Sequence, residues 1–243
     1  MSSREKIVFS WSGGKDSAMA LKQILAGGRY EVVALLTSVA EQFERVSHHG
    51  VRSELLELQA AAVGLPLDKL YLPSSANHPC TNDVYEEIMR TAMLRYCEAG
   101  VRTVAFGDIF LEDLRQYRER NLATVGMQAI FPLWKRDTGE LLDQFISSRW
   151  KAYISCAEAK LGPTFAGRAI DAAFRRDLPP GIDPCGEFGE YHSFVYDGPI
   201  FQRPVPVEVG EVVVRDGRFY ADLLSPVSTV PPSSSLEHAM PPV

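Results

Sequence analysis

The chain has 243 residues, with 31 acidic against 25 basic side chains and a net charge of −6. That length allows one large α/β domain or one domain with a smaller appendage, and the scattered basic residues argue against electrostatic capture by nucleic acid or an anionic membrane. Four cysteines without a C-x-x-C pair write neither a zinc knuckle nor a thioredoxin-type motif; with no apolar run of membrane-spanning length and a first strand starting at Lys6, cytoplasm is the expected location.

The first predicted strand, Lys6–Phe9, runs into Ser10-Trp11-Ser12-Gly13-Gly14-Lys15-Asp16-Ser17, followed by a helical stretch from Ala18 to Leu25. Two glycines permit a tight turn with close backbone approach. The loop amides and the positive end of the helix would face an anion placed there. A P-loop is excluded, because the positions for its first glycine and its Ser/Thr hold Phe9 and Asp16. No dinucleotide fingerprint can be laid over these residues either. Lys15 offers an ammonium to the β and γ phosphates of a nucleotide, and Ser12 and Ser17 offer hydroxyls beside the Gly13 and Gly14 amides. Asp16 would repel phosphate unless it caps the helix or helps hold Mg2+, and both readings stand at this point.

Strands at Glu31–Thr37, Leu67–Leu72 and Thr103–Phe106 then alternate with helices at about Val51–Val63 and Asn82–Ala99. This is the cadence of a parallel sheet covered on both faces, which binds ligands at the carboxyl ends of its strands. His48 and His49 precede the second helix, either as surface residues or as a substrate contact. After the strand ending at Phe106 comes Gly107-Asp108, and Asp108 and Glu112 would share a helix face if the helix begins early. Asp108 reads as a magnesium ligand, a substrate anchor or a helix cap. Arg115, Arg118 and Arg120 read as a solvated face or as reach towards a triphosphate.

Beyond this the texture changes. A short apolar run at Ile130–Leu133, a helix at Thr138–Trp150, a strand at Tyr153–Ala157 and a helix at about Gly167–Arg176 precede a hairpin. Its turn is Asp216-Gly217, between Glu211–Arg215 and Arg218–Asp222. The expected division is an ATP-binding domain over 1–128, a smaller α+β domain over 129–224 and a mobile tail over 225–243. Asp183 to Pro199 packs glycines, Glu187, Glu190 and His192 into one loop and the strand after it. It reads either as a ligand-presenting loop or as an exposed hairpin, and alternation from Glu190 would put His192 on the same face with Tyr191 opposite.

The run S-G-G-K-D-S after a strand resembles the PP-loop of the N-type ATP pyrophosphatases, which cleave ATP between its α and β phosphates. Taken with Gly186-Glu187-Phe188-Gly189-Glu190-Tyr191-His192-Ser193 and the following Asp197-Gly198-Pro199, the chain is similar to the diphthine–ammonia ligase family. Gly107-Asp108-Ile109 and His49-Gly50-Val51-Arg52 fall at further motif positions, so the resemblance spans about Lys6 to Leu223. It implies an α/β fold: a Rossmann-like adenine nucleotide α-hydrolase (HUP-type) parallel sheet with a smaller C-terminal α+β domain and an acceptor pocket between them. It implies ATP and Mg2+ as cofactors and adenylation of an acceptor carboxylate, which in the ligases is diphthine on translation elongation factor 2. Ammonia then displaces AMP.

The implied roles are catalysis for Lys15 and Asp108, and ATP binding for Ser12, Gly13, Gly14, Lys15, Asp16, Ser17 and Gly107. Acceptor contact falls to His49, Glu112, Glu187, Glu190 and His192, and metal binding to Asp16 and Asp108. Phe188 and His192 stand where archaeal and eukaryotic ligases carry glycine and glutamate, so the loop reads like the bacterial-type branch and the acceptor is open. Expected partners are ammonia and a small-molecule or protein-borne carboxylate, without membrane or nucleic acid, and a homodimer is an open expectation. Two alternatives are a tRNA-modifying PP-loop enzyme and a nucleotide sensor without turnover. The first calls for a basic extra domain that this acidic chain does not write.

Overall fold

The structure, a computed structural model, describes residues 4–46, 50–73 and 80–226. Its first sheet is parallel in the order β4 (Leu67–Leu72), β2 (Tyr30–Ala40), β1 (Glu5–Ser10), β5 (Thr103–Ala105), β6 (Gln128–Ile130). A two-residue strand, β3 (Arg45–Val46), adds antiparallel to the end of β2. Strand order reverses at β1, so the crevice at its carboxyl end, between the loops after β1 and β5, is the topological switch point.

Period-two alternation in β1 sends Ile7 and Phe9 to one face of the sheet and Val8 to the other, all fully buried. Val8 packs with Leu36, Leu70 and Val104 under Ala92 and Met93 of α3 (Asn82–Glu98) and Leu122 of α4 (Glu112–Ala123). Ile7 and Phe9 pack under α1 (Lys15–Gly27) and α2 (Ser53–Val63), in a core that runs without a break into the C-terminal module. One face of the sheet is thus closed by two helices, and the other by two helices and a second module.

That module holds α5 (Thr138–Ser147), α6 (Ala172–Asp177) and an antiparallel sheet ordered β8 (Tyr191–Asp197), β7 (Lys151–Glu158), β10 (Arg218–Leu224), β9 (Glu208–Arg215). The hairpin turns at Asp216-Gly217 with both residues in the left-handed region, as an Asp-Gly turn requires. The α/β fold with a smaller C-terminal module is the one expected.

Some boundaries move, for physical reasons. The short apolar run at Ile130–Leu133 enters a strand only at its first residue: β6 ends at Ile130, two residues before Pro132, which has no N–H to give a ladder. An end to the first domain at residue 128 would cut this strand. The helix expected from Gly167 starts at Ala172, because residues 167–170 instead bond along β7: Gly167 N to Ile154 O at 2.8 Å and Ile170 N to Ala152 O at 2.9 Å. Asp171 then caps it by accepting from Phe174 N. The tail lies, from residue 227 on, outside the described residues. No helix among the described residues is long and apolar enough to cross a membrane.

Candidate functional site

Residues 11–14 link β1 to α1 at the switch point. Gly13 has φ +76°, and a Cβ there would lie 2.6 Å from the Gln59 side-chain oxygen, so only glycine fits. Gln59 of α2 is fully buried and joins three segments. Its Oε1 accepts from Trp11 Nε1 at 3.0 Å, and its Nε2 donates to Gly13 O at 2.9 Å and to Val195 O of β8 at 2.5 Å. Val195 N donates back to Gly13 O, and Lys15 N donates to Ser193 Oγ at 3.1 Å. The loop is therefore fixed by the C-terminal sheet as well as by its own strand and helix. Within it the Ser12 and Ser17 hydroxyls lie 2.9 Å apart, and Ser17 Oγ donates to Gly14 O.

Gly107 brings the loop after β5 against the first turn of α1, where a Cβ would stand 2.9 Å from Ser17 N. The next residue, Asp108, forms a two-point ion pair with Arg118 of α4, at 2.7 Å and 3.1 Å, and that guanidinium lies over the Phe106 ring. α4 begins only at Glu112, with Leu111 at its N-cap position, so Asp108 neither caps it nor shares its face with Glu112. Glu112 is exposed, takes a 3.4 Å contact from Gln116 and does not line the crevice.

The third wall is the loop before β8. Asp183 Oδ1 accepts from the amides of Cys185 and Glu187, and Tyr191 Oη donates to Pro184 O. Glu187 reaches across to the first module, its Oε1 accepting from Ile109 N at 2.8 Å and Phe110 N at 3.1 Å. Burial is the main cause that raises its carboxyl to about 7, against the pull of those two amides. Glu190, by contrast, is 1 % exposed and turns inwards, accepting from Asp183 N and Phe188 N at 3.0 Å each. It clasps its own loop and does not line the crevice, so the acceptor contact expected of it would have to act through that loop. Alternation fails here because β8 starts at Tyr191, so Glu190 is still loop, and Tyr191 and His192 both line the crevice.

These walls enclose a cleft of about 220 Å3 bounded by Ser12, Gly14, Ser17, Gly107, Glu187 and His192 among others. A larger cavity of about 380 Å3 between α3 and α4 meets it at Phe106 and Arg118. Lys15 is 2 % exposed: its ammonium bonds both oxygens of Asp16, at 2.8 Å and 3.0 Å, bonds Cys185 O, and lies 5.0 Å from the centre of the Tyr191 ring. Burial is the largest single influence and opposes its charge, but Asp16, Tyr191 and Cys185 together outweigh it and hold the ammonium well above the ordinary lysine pKa. Asp16 therefore neither caps α1, whose N-cap residue Gly14 has no side-chain partner, nor stands free for a metal.

The two metal candidates, Asp16 and Asp108, are each paired with a cation, and among the described residues no three His, Cys, Asp or Glu side chains gather to hold a metal ion. Mg2+ at a nucleotide is held by one or two carboxylates together with phosphate oxygens, so Asp16 or Asp108 would have to release its cation to serve it. ATP fits better, since the cleft offers main-chain and hydroxyl groups at the start of a helix. His49 lies outside the described residues.

Sequence reading missed Gln59, Ser193 and the partnership of Arg118 with Asp108. Gln59 is an amide within a run otherwise suited to a buried helix face, and only its three partners from other segments reveal what it does.

Two family models match this chain: the Diphthamide synthase N-terminal domain over residues 5–129 and the Diphthamide synthase C-terminal domain over residues 137–222. The diphthine–ammonia ligase of Danio rerio is 27% identical over 238 residues, covering 89% of this chain and 91% of the relative. Those of Homo sapiens and Bos taurus are 28% and 29% identical over 242 residues, each covering 89% of this chain and 86% of the relative. With both domains matched in order around the cleft just described, the chain belongs to the diphthamide synthase family.

Proposed function

We propose that this chain is an ATP-dependent ligase that activates a carboxylate as its adenylate and passes the acyl group to ammonia. The observation that carries the reading is the convergence of three loops on one cleft: the PP-loop after β1, the Gly107-Asp108 loop after β5, and the Glu187 and His192 segment of the C-terminal module. The first supplies donors for phosphate, and the third supplies groups suited to an acceptor and to protons.

ATP brings an activated α-phosphate. Ser12, Ser17 and the amides at the start of α1 would hold its phosphate oxygens, fixed in advance by Gln59 and Ser193. An oxygen of the acceptor carboxylate attacks the α-phosphorus, the bond to the β-phosphate oxygen breaks, and pyrophosphate leaves. Ammonia then attacks the acyl carbon, the carbon–oxygen bond to AMP breaks, and one proton is lost. Glu187, titrating near 7, is suited to take that proton.

Diphthine, after which the related ligases are named, is the first acceptor to try. An acceptor labelled with 18O in its carboxylate should transfer one 18O into AMP. Amide formed with unlabelled AMP would refute adenylation.

A further inference from the structure

Resting on that reading of the cleft, we infer that Lys15 is a positioning residue that latches the Asp183–Glu190 loop over the nucleotide site, and is not a phosphate ligand. An ammonium has three N–H donors, and here the neighbours that receive them are the two oxygens of Asp16 and the carbonyl of Cys185. The ring of Tyr191 closes the remaining side, and the side chain is 2 % exposed. A lysine serving phosphate would keep a donor towards the cleft. This one directs its charge at its own neighbour and at the C-terminal module.

Residue 15 is also tied at its other end, where its backbone N–H donates to Ser193 Oγ of β8. From Cys185 the chain of contacts continues two residues on to Glu187, which accepts from the Ile109 and Phe110 amides of the loop after β5. Lys15 and Glu187 thus hold one short loop at two points, each on a different edge of the switch-point crevice. Lys15 and Asp16 also line this cleft, but with the ammonium's donors turned to Asp16 and Cys185, phosphate binding is left to the loop amides and to Ser12 and Ser17. The Lys15–Asp16 pair, its lysine buried and its carboxylate at the cleft wall, sets the place of this loop and so the place of Glu187.

The test uses the full chain carrying Lys15→Met, which keeps the length of the side chain and removes its charge. ATP affinity, measured by calorimetry, should stay within about threefold of wild type, whereas a direct charge-assisted phosphate contact would cost on the order of tenfold or more. Amide exchange at Ile109 and Phe110 should speed up at least about tenfold as the Glu187 contact loosens. For AMP formation, kcat should fall while KM for ATP holds. An ATP affinity lowered about thirtyfold or more with exchange unchanged would overturn the latch.

Should the variant fail to fold, the wild-type protein decides by the 15N resonance of the Lys15 ammonium. Saturating ATP leaves a latch unmoved and shifts a phosphate ligand. Exchange at Ile109 and Phe110 needs no nucleotide, so a wild-type protein that bound no ATP would sink the reading of the cleft while the latch was still decided by the variant.

Discussion

Two of the polar seams that join the modules are built from different chemistry. At the cleft the partners are mostly neutral: the Gln59 amide, the Gly13 and Val195 main chains and the Ser193 hydroxyl, with the half-buried Lys15–Asp16 ion pair beside them. Away from the cleft, Arg45 and Arg52 of the first module converge on Asp222 of β10, at 3.0 Å and 2.8 Å, and all three are buried or nearly so. Neutral hydrogen bonds are directional and hold a loop to a geometry. Opposed charges taken out of water are costly to separate but less demanding of angle. The cleft seam should therefore couple damage to ATP use, and the remote seam should couple it to stability alone.

Asp222→Ala breaks the remote seam and leaves two guanidiniums facing each other. It should cost about 3–5 kcal/mol in chemical denaturation, while the protein that stays folded keeps its KM for ATP. A change in ATP use as large as the change in stability would erase the distinction between the seams. Gln59→Leu attacks the other seam, stranding the Trp11 N–H and removing donors from two buried carbonyls. A loss of about 2–4 kcal/mol is expected, together with a fall of roughly tenfold or more in AMP formation as the loop loosens.

Glu190→Gln is milder, because an amide oxygen still serves one of the two backbone donors. Roughly 1–2 kcal/mol should be lost, and the effect on acceptor use should follow from a loosened loop, visible as faster exchange at Phe188 N. The smallest effect belongs to Glu187. Its folded pKa, near 7, lies above the ordinary carboxylate value, so between about pH 4.5 and 7 the folded state binds the extra proton and stability falls as pH rises. Glu187→Gln should flatten that slope by on the order of 1 kcal/mol, a value kept low because the group is part-exposed. Denaturant midpoints at pH 5 and pH 8 give the comparison, and an unchanged slope would show that Glu187 is not the group responsible.

The first module was the more legible in the sequence because its signals are local. β1 carries three consecutive buried residues, and the glycine turn and α1 follow it directly. The strands and helices from β1 to β5, apart from the two-residue β3, followed from the alternation of such runs. The C-terminal module was read less well, since the start of α6 is set by contacts of residues 167–170 with β7. Within the site, Ser12, Gly14, Ser17 and Gly107 line the cleft at the carboxyl ends of β1 and β5. The direction of Lys15 and Glu190 was not legible, because it depends on which carbonyls and amides a distant segment brings near. Arg118 went unassigned for the same reason: its partner, Asp108, lies ten residues back in a loop whose path the sequence does not spell out.

The most direct trial of the central claim, that this cleft splits ATP between the α and β phosphates for ligation, is to follow α-labelled ATP. Wild-type protein is incubated with the nucleotide, ammonium and diphthine-bearing elongation factor 2 or a pool of cellular carboxylates. Label appearing in AMP, with an equal amount of pyrophosphate and dependence on the acceptor, is the expected result; label appearing in ADP would contradict it.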